Sequence, residues 1–519
     1  MQHTDTHPTQ PPRPTNAAAG PAPRAARPDS GATSPGAGSD WRGDNRALLG
    51  IVLGVLTFWL FAQTTLNVGP IIAGDLSLSM EIMNIAIAVT ALFSGMFIVV
   101  AGGVADRIGR VRMVFLGNLL NIVGSLLLAT AVGALAAPMV LLARVLQGLA
   151  AAFIMPASLA IVKTYWHGPE RQRAVSMWSL GSWGGGGFCS LFGGFVAGTA
   201  LGWRAIFWAC AACSVASILL MQHIPESKPA AADAARQRTD WAGMISFCIA
   251  MVALQVVITQ GDKLGWLSPI TLGLVALFAV VFTVFNRVES DNAHAFLNFN
   301  LFRNPVFTGT TVSNCLLNAT AGILPVSLWV FQRAHGLTAA KAGYLTIGYA
   351  IGIVVFIRVG ERLLQRFGAR KPMAWGTLIV LACILLLIVA NMFQDAAIWL
   401  SIIAYGLFGL GLAFYATPST DTALNALPHA EAGAGAGIYK MASSLGAAFG
   451  VAVSAAVFTA LEGKGLPILQ AVTPATAAQH VHQAGIAGLA FNAAIAVIAL
   501  VTILIVVPKD AGETIDWDD

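Results

Sequence analysis

Charge is what this chain has least of: Asp, Glu, Lys and Arg together make up 10% of its 519 residues. A soluble globular domain carries roughly 25%, so this chain cannot coat a water-facing surface. Nor do its polar and apolar residues alternate, which excludes the strand pattern of a membrane β-barrel. Its six cysteines (Cys189, Cys210, Cys213, Cys248, Cys315, Cys383) all fall inside apolar stretches, and none stands at a metal-ligand spacing from a histidine. They read as small buried hydrophobes, and no metal is expected. There is no Gly-x-x-x-x-Gly-Lys-Ser/Thr loop, hence no phosphate cradle, no bound nucleotide and no direct coupling to ATP. No His/Asp/Glu cluster lies in an apolar stretch, which argues against an intramembrane enzyme. No segment is long enough for a soluble output domain, which argues against a sensor. No cofactor is expected. A pI near 9.0 and a net charge of +5 could point to nucleic acid. The bases, however, sit in short clusters between apolar blocks, a signal of topology, so no nucleic-acid partner is expected.

What the chain has in excess is apolar sequence, 57% of residues with a mean hydropathy of +0.74. It comes in fourteen blocks of about 20 residues, the length a helix needs to cross a hydrocarbon layer of about 30 Å. The expected fold class is therefore all-α, with fourteen transmembrane helices and both termini on one side. Loops on the side of the N-terminal tail hold fifteen lysines and arginines, opposite loops only five (Arg204, Lys263, Arg333, Lys341, Lys464). That excess places both termini in the cytoplasm of a multi-pass inner-membrane protein. Residues 1–44, rich in Pro, Ala, Gly, Thr and Ser, read as a disordered cytoplasmic tail. They lack the apolar core of a signal peptide, so the first block is expected to act as signal and stay in the membrane.

A weak repeat organises the blocks. Gly102–Arg112 (GGVADRIGRVR, beginning at Gly102) follows the second block, and a degenerate echo, Gly360–Lys371 (GERLLQRFGARK), follows the tenth. Internal duplication builds two bundles around a midplane site. The parse is a six-helix bundle at 45–224, two inserted helices at 240–287, a second six-helix bundle at 304–508 and a cytoplasmic tail at 509–519.

The run Gly102, Val104, Ala105, Asp106, Arg107, Gly109, Arg110 and Arg112 resembles the loop signature of the major facilitator superfamily. The resemblance implies that fold, with Gly102, Asp106, Arg107, Gly109 and Arg110 as a gating loop. A second match lies in the fourth block, Arg144, Gln147 and Gly148 followed by Pro156. A full charge at mid-membrane costs ~2.5–3.5 kcal/mol on insertion scales, so such a group faces a cavity or a partner. The resemblance places Arg144 beside the cargo and proton pathway, with Gln147, Asn67, Thr64 and Trp183 as further lining candidates. In the fifth block Gly181/Gly185 and Gly194/Gly198 are small residues four apart, suited to close helix approach. With Gly193 they are the expected packing or hinge residues of helix five. Exporter families carry Gly-Pro shortly before a Gly-Gly there, and this chain has Cys189-Ser190 before Gly193-Gly194.

Across residues 45–508 the chain is similar to the fourteen-helix drug:proton antiporter-2 branch, through Asn67-Val68-Gly69-Pro70, Asp75-Leu76, Trp203-Arg204, Ile206-Phe207 and Leu301-Phe302-Arg303-Asn304. Where that branch commonly has an aspartate in helix one, Ala62 stands here, and no acid lies near the middle of any block. The resemblance implies secondary active export of small amphipathic compounds by alternating access, coupled to protons. Proton carriage would fall to Asp75, Glu81, Asp106 or a group on the cargo. Uptake of a metabolite by the same fold is the alternative, since fold does not fix direction. Lys440 and Arg358 are expected to snorkel to the cytoplasmic face. The partners expected are a small-molecule cargo, protons and the lipid bilayer.

Overall fold

Fourteen helical rods follow one another in a computed structural model that describes residues 41–227, 241–290, 299–337, 339–393, 395–474 and 478–509. They are α1 (45–75), α2 (Met80–Ile108), α3 (Arg110–Ala129), α4 (Ala136–Tyr165), α5 (168–197), α6 (Arg204–Met221) and α7 (Trp241–Leu264). The others are α8 (Pro269–Ser290), α9 (305–334), α10 (Ile347–Phe367), α11 (Arg370–Ala390), α12 (Ala397–Asn425), α13 (Ala432–Leu461) and α14 (Gln479–Val506). Twelve rods are long and apolar enough to cross a membrane. Of the other two, α5 opens on the polar run Gly168–Arg173 and α7 carries a shorter apolar stretch, Ala242–Ile258.

Local chemistry sets the ends. Asp44 caps α1 by accepting from Ala47 N at 2.7 Å, and Ser79 caps α2 by accepting from Ile82 N at 3.3 Å. Gly109, at φ +122°, ends α2 and turns the chain into α3; Gly368, at φ +70°, does the same between α10 and α11. Those two turns are the repeat and its echo.

The packing repeats as well. α2 and α3 both lie on α4, and α3 also on α6; α10 and α11 both lie on α12, and α11 also on α14. Two six-helix bundles result. They meet where α2 packs on α13 and where α5 packs on α10 and α12. The inserted α7 leans on α2 of one bundle and α13 of the other, with α8 packed on α7.

The tail expected to be disordered through residue 44 ends earlier. Trp41 packs edge-on against Tyr165 and Trp166, with centroids 4.9 and 6.1 Å away, and Gly43 N donates to Tyr165 O at 3.0 Å. One apolar indole supplies the burial that the flanking Pro/Gly/Ser sequence cannot. The rest of that tail, 1–40, and the C-terminal tail from 510 lie outside the described residues.

Candidate functional site

The bundle end where the described residues begin and end, here the terminal end, is where the halves lock. α2 and α13 touch backbone to backbone there: a Cβ on Gly102 would sit 2.2 Å from Gly433 O. One turn further, Asp106 overlies the first turn of α13 and accepts from Gly433 N at 3.0 Å and Ala434 N at 2.9 Å. Those N–H groups have no partner within their own helix, and the positive end of the helix dipole favours the carboxylate. Arg110 Nε donates to Asp106 Oδ1 at 2.8 Å, and its Nη1 and Nη2 donate to Thr164 Oγ1 and His429 O, both at 2.6 Å. Gly109 leaves room for Glu226, which lies 2.5 Å from where its Cβ would be and accepts from Val111 N and Arg112 N at 2.9 and 3.0 Å. Arg107 is half-buried and its Nη1 has no hydrogen bond. The structure thus brings Gly102, Asp106, Gly109 and Arg110 together.

A second contact between the halves lies beside the first, with no motif announcing it. Arg171 of α5 donates through Nε to Asp421 Oδ1 of α12 at 2.8 Å, with side chains 9% and 0% exposed. Asp421 Oδ2 has no hydrogen bond. Lys163 Nζ donates to Leu424 O and Leu427 O at 2.5 Å each, covering the carbonyl end of α12. The loop residue His429 stands among these cations: partial burial first, then Lys163, Arg110, His167 and Arg171, hold its pKa below the ordinary histidine value.

Deeper in the first bundle, Arg144 is 1% exposed. Its Nη1 donates to Gln147 Oε1 at 2.7 Å and to Ala62 O at 3.0 Å, and its Nε has no partner. Ala62 O is reachable because α1 is irregular there: a π turn, Thr57–Phe61, passes into a 3-10 turn, Ala62–Thr64. α5 carries its own π turn, Leu180–Gly184, packed against that of α1. Gly181 and Gly185 make the approach possible; Cβ atoms there would meet Val52 at 3.3 Å and Leu56 at 3.1 Å. Gly193 lies against Thr64 in the same way, at 2.8 Å.

Other expected site residues fall elsewhere. Thr64 donates its hydroxyl to Phe61 O of its own helix at 2.6 Å. Trp183 is half-buried beside the core, and the side chain of Asn67 lies outside the described residues. Gly194 and Gly198 are exposed, and a Cβ on Gly198 would meet only its own helix, so among the described residues Gly198 packs no neighbouring helix. Lys440 does not snorkel: it is 4% exposed, with Nζ 4.8 Å from the centroid of the Trp178 ring. Arg358 does reach solvent, 44% exposed, and pairs with Glu361 Oε2 at 2.5 Å. Asp75, at the far end, accepts from Arg204 and from Trp203 Nε1 at 3.1 Å; the Arg204 bond chiefly, then that from Trp203, holds its carboxyl below the usual range. A carboxylate so held braces α1 to α6 and is a poor proton carrier near neutral pH. None of these residues lines the apolar cavity of about 420 Å³ between α2, α7 and α8, which is bounded by Met96, Phe97, Met244, Cys248 and Leu277.

Comparison with known proteins bears on the fold and the family. The family described as Major Facilitator Superfamily matches residues 49–451 and 306–515. The quinolone resistance protein NorB of Staphylococcus aureus strain MRSA252 is 42% identical over 469 residues, covering 90% of this chain and 97% of the relative. That of strain COL is 43% identical over the same shares. Among solved structures, the proton:xylose symporter XylE bound to 6-bromo-6-deoxy-D-glucose superposes with a TM-score of 0.58 over 90% of this chain and 96% of its own. At 15% identity, that likeness speaks for the fold alone.

Proposed function

The chain belongs to the major facilitator superfamily and is a multi-pass membrane transporter, not an enzyme; from that premise we propose that it exports small amphipathic drugs across the inner membrane in exchange for protons. The observation that carries the direction is the 42% identity over nearly the whole of a relative named for quinolone resistance, because resistance of this kind requires removal of the drug. The excess of lysine and arginine on the terminal side makes that end cytoplasmic. The contacts Asp106–α13 and Arg171–Asp421 are then a cytoplasmic gate, drawn shut. Bundles 45–224 and 304–508 rock about the seam between them, with the inserted helices at 240–287 riding on it. Arg144 and Gln147 hold the irregular part of α1 at the pathway, and the paired π turns let α1 and α5 flex.

The test is expression in a host deleted for its own pumps. Resistance to quinolone-type drugs should rise, and preloaded drug should leave faster than in the empty host, the difference vanishing with an uncoupler. Increased drug accumulation would establish uptake instead, and efflux indifferent to the uncoupler would remove the proton coupling.

A further inference from the structure

Lys440 lies two turns inside α13, on the face whose Gly437 meets the backbone of α2, a Cβ there falling 2.8 Å from Ile98 O. An ammonium has three donors and no acceptor. Among the described residues its Nζ has no ion-pair partner and no hydrogen bond; what it has is the face of Trp178 on α5, itself fully buried. The indole is held in place, because its Nε1 donates to Ser158 Oγ on α4 at 2.9 Å. The side chain therefore sits in the seam between the bundles, just inside the gate, fixed by an aromatic plane that leaves its donors unused.

Resting on the export reading above, we propose that Lys440, held against Trp178, is a cargo-binding site for carboxylates, taking the acid group of an aromatic zwitterion or monoanion. With the gate open, α13 swings away from α2 and the ammonium meets cytoplasmic water and solute. Shutting the gate over a lone ammonium strips its water without compensation, whereas a carboxylate that enters with it restores the hydrogen bonds. A bound carboxylate thus favours closure. Arg144 cannot serve the same acid group. Ser158 stands 14 residues beyond Arg144 on α4, about 21 Å along the helix axis at 1.5 Å per residue.

The experiment uses the full-length protein in nanodiscs, with a fluoroquinolone carboxylic acid and its methyl ester as paired probes, binding read by calorimetry. Wild type should bind the acid about tenfold or more tightly than the ester, the size of a charged hydrogen bond. Lys440→Met should erase that preference while binding the ester as before, and Lys440→Arg should keep it. Equal binding of acid and ester by wild type overturns the assignment, with no variant needed; so does a preference that survives in Lys440→Met. Failure of wild type to move either probe in vesicles would overturn the export reading instead, leaving the binding preference to decide the site.

Discussion

Arg144 is a fully charged side chain whose near partners are neutral: a glutamine amide and the carbonyl of Ala62. Hydrogen bonds to a charged group are each worth ~1.5–3 kcal/mol, so the guanidinium both pins α1 at its 3-10 turn and leaves its charge uncancelled. Arg144→Ala should abolish export while the protein still inserts, and Arg144→Lys, a compact point charge without the planar guanidinium fork, should lower it at least about tenfold. The check is efflux rate normalised to protein level in the membrane; an alanine variant that pumps normally removes Arg144 from the pathway. The candidacy of Arg144 was legible because an intramembrane charge is conspicuous in any sequence. Its partner was not, since a carbonyl freed by a π turn leaves no mark in residue spacing. For Lys440, closeness to a helix end suggests snorkelling, and its contact with Trp178 on α5 is a meeting of two bundles that residue spacing does not show.

At the scale of elements, two neighbouring contacts join the bundles at the terminal end, the gate of the proposed export cycle, and they are separable. Asp106 holds α2 to the start of α13, whereas Arg171–Asp421 joins α5 to α12. Removing one partner of a buried ion pair typically costs ~3–5 kcal/mol, so Asp421→Ala should shift the resting population towards an open terminal end. Distances between spin labels across the gate should lengthen; an unchanged distribution would show the pair to be incidental. Asp106→Asn keeps the size of the side chain but turns one of its two acceptors into a donor and loses the charge at the α13 dipole, so turnover should fall more than cargo affinity, read as separate transport and binding measurements. The gate should also respond to pH through His429. Its pKa in the closed form is depressed below the ordinary value of 6.5, so the neutral ring favours closure. That contribution is complete above about 6.5 and is lost as pH falls through the depressed value, when a new cation joins Lys163, Arg110 and Arg171, with Asp421 already engaged by Arg171. Acidifying the cytoplasmic side from neutral should therefore loosen the gate, and His429→Gln should flatten that response in the same distance measurement. The first contact was half legible, through its loop signature. The second was not, because Arg171 and Asp421 stand 250 residues apart in the chain.

For the whole molecule, the fourteen rods could be counted from apolar run lengths, and the repeat pointed to two six-helix bundles. What the runs could not convey is how the buried charges balance once the bundles meet. Asp106 is engaged by Arg110, Asp421 by Arg171 and Glu361 by Arg358. Among the described residues no acid pairs with Arg144 or Lys440, so the charge at these two positions is positive and uncompensated. A cation brought within ~4 Å of either would meet a repulsion of ~4 kcal/mol at an effective dielectric of about 20. A dication meets roughly twice that, whereas a zwitterion can turn its acid towards the charge. Export should therefore favour zwitterionic and neutral amphipaths over dicationic antiseptics by at least about thirtyfold, even if only half of a single repulsion survives screening. Ala62→Asp tests the origin of the preference, because residue 62 already lies against the Arg144 guanidinium and an aspartate there would cancel its charge. Efflux of a monocationic dye should rise in that variant while that of a zwitterion holds or falls. Strong export of dications by the wild type would show that some acid, unpaired in another conformation, outweighs both cations.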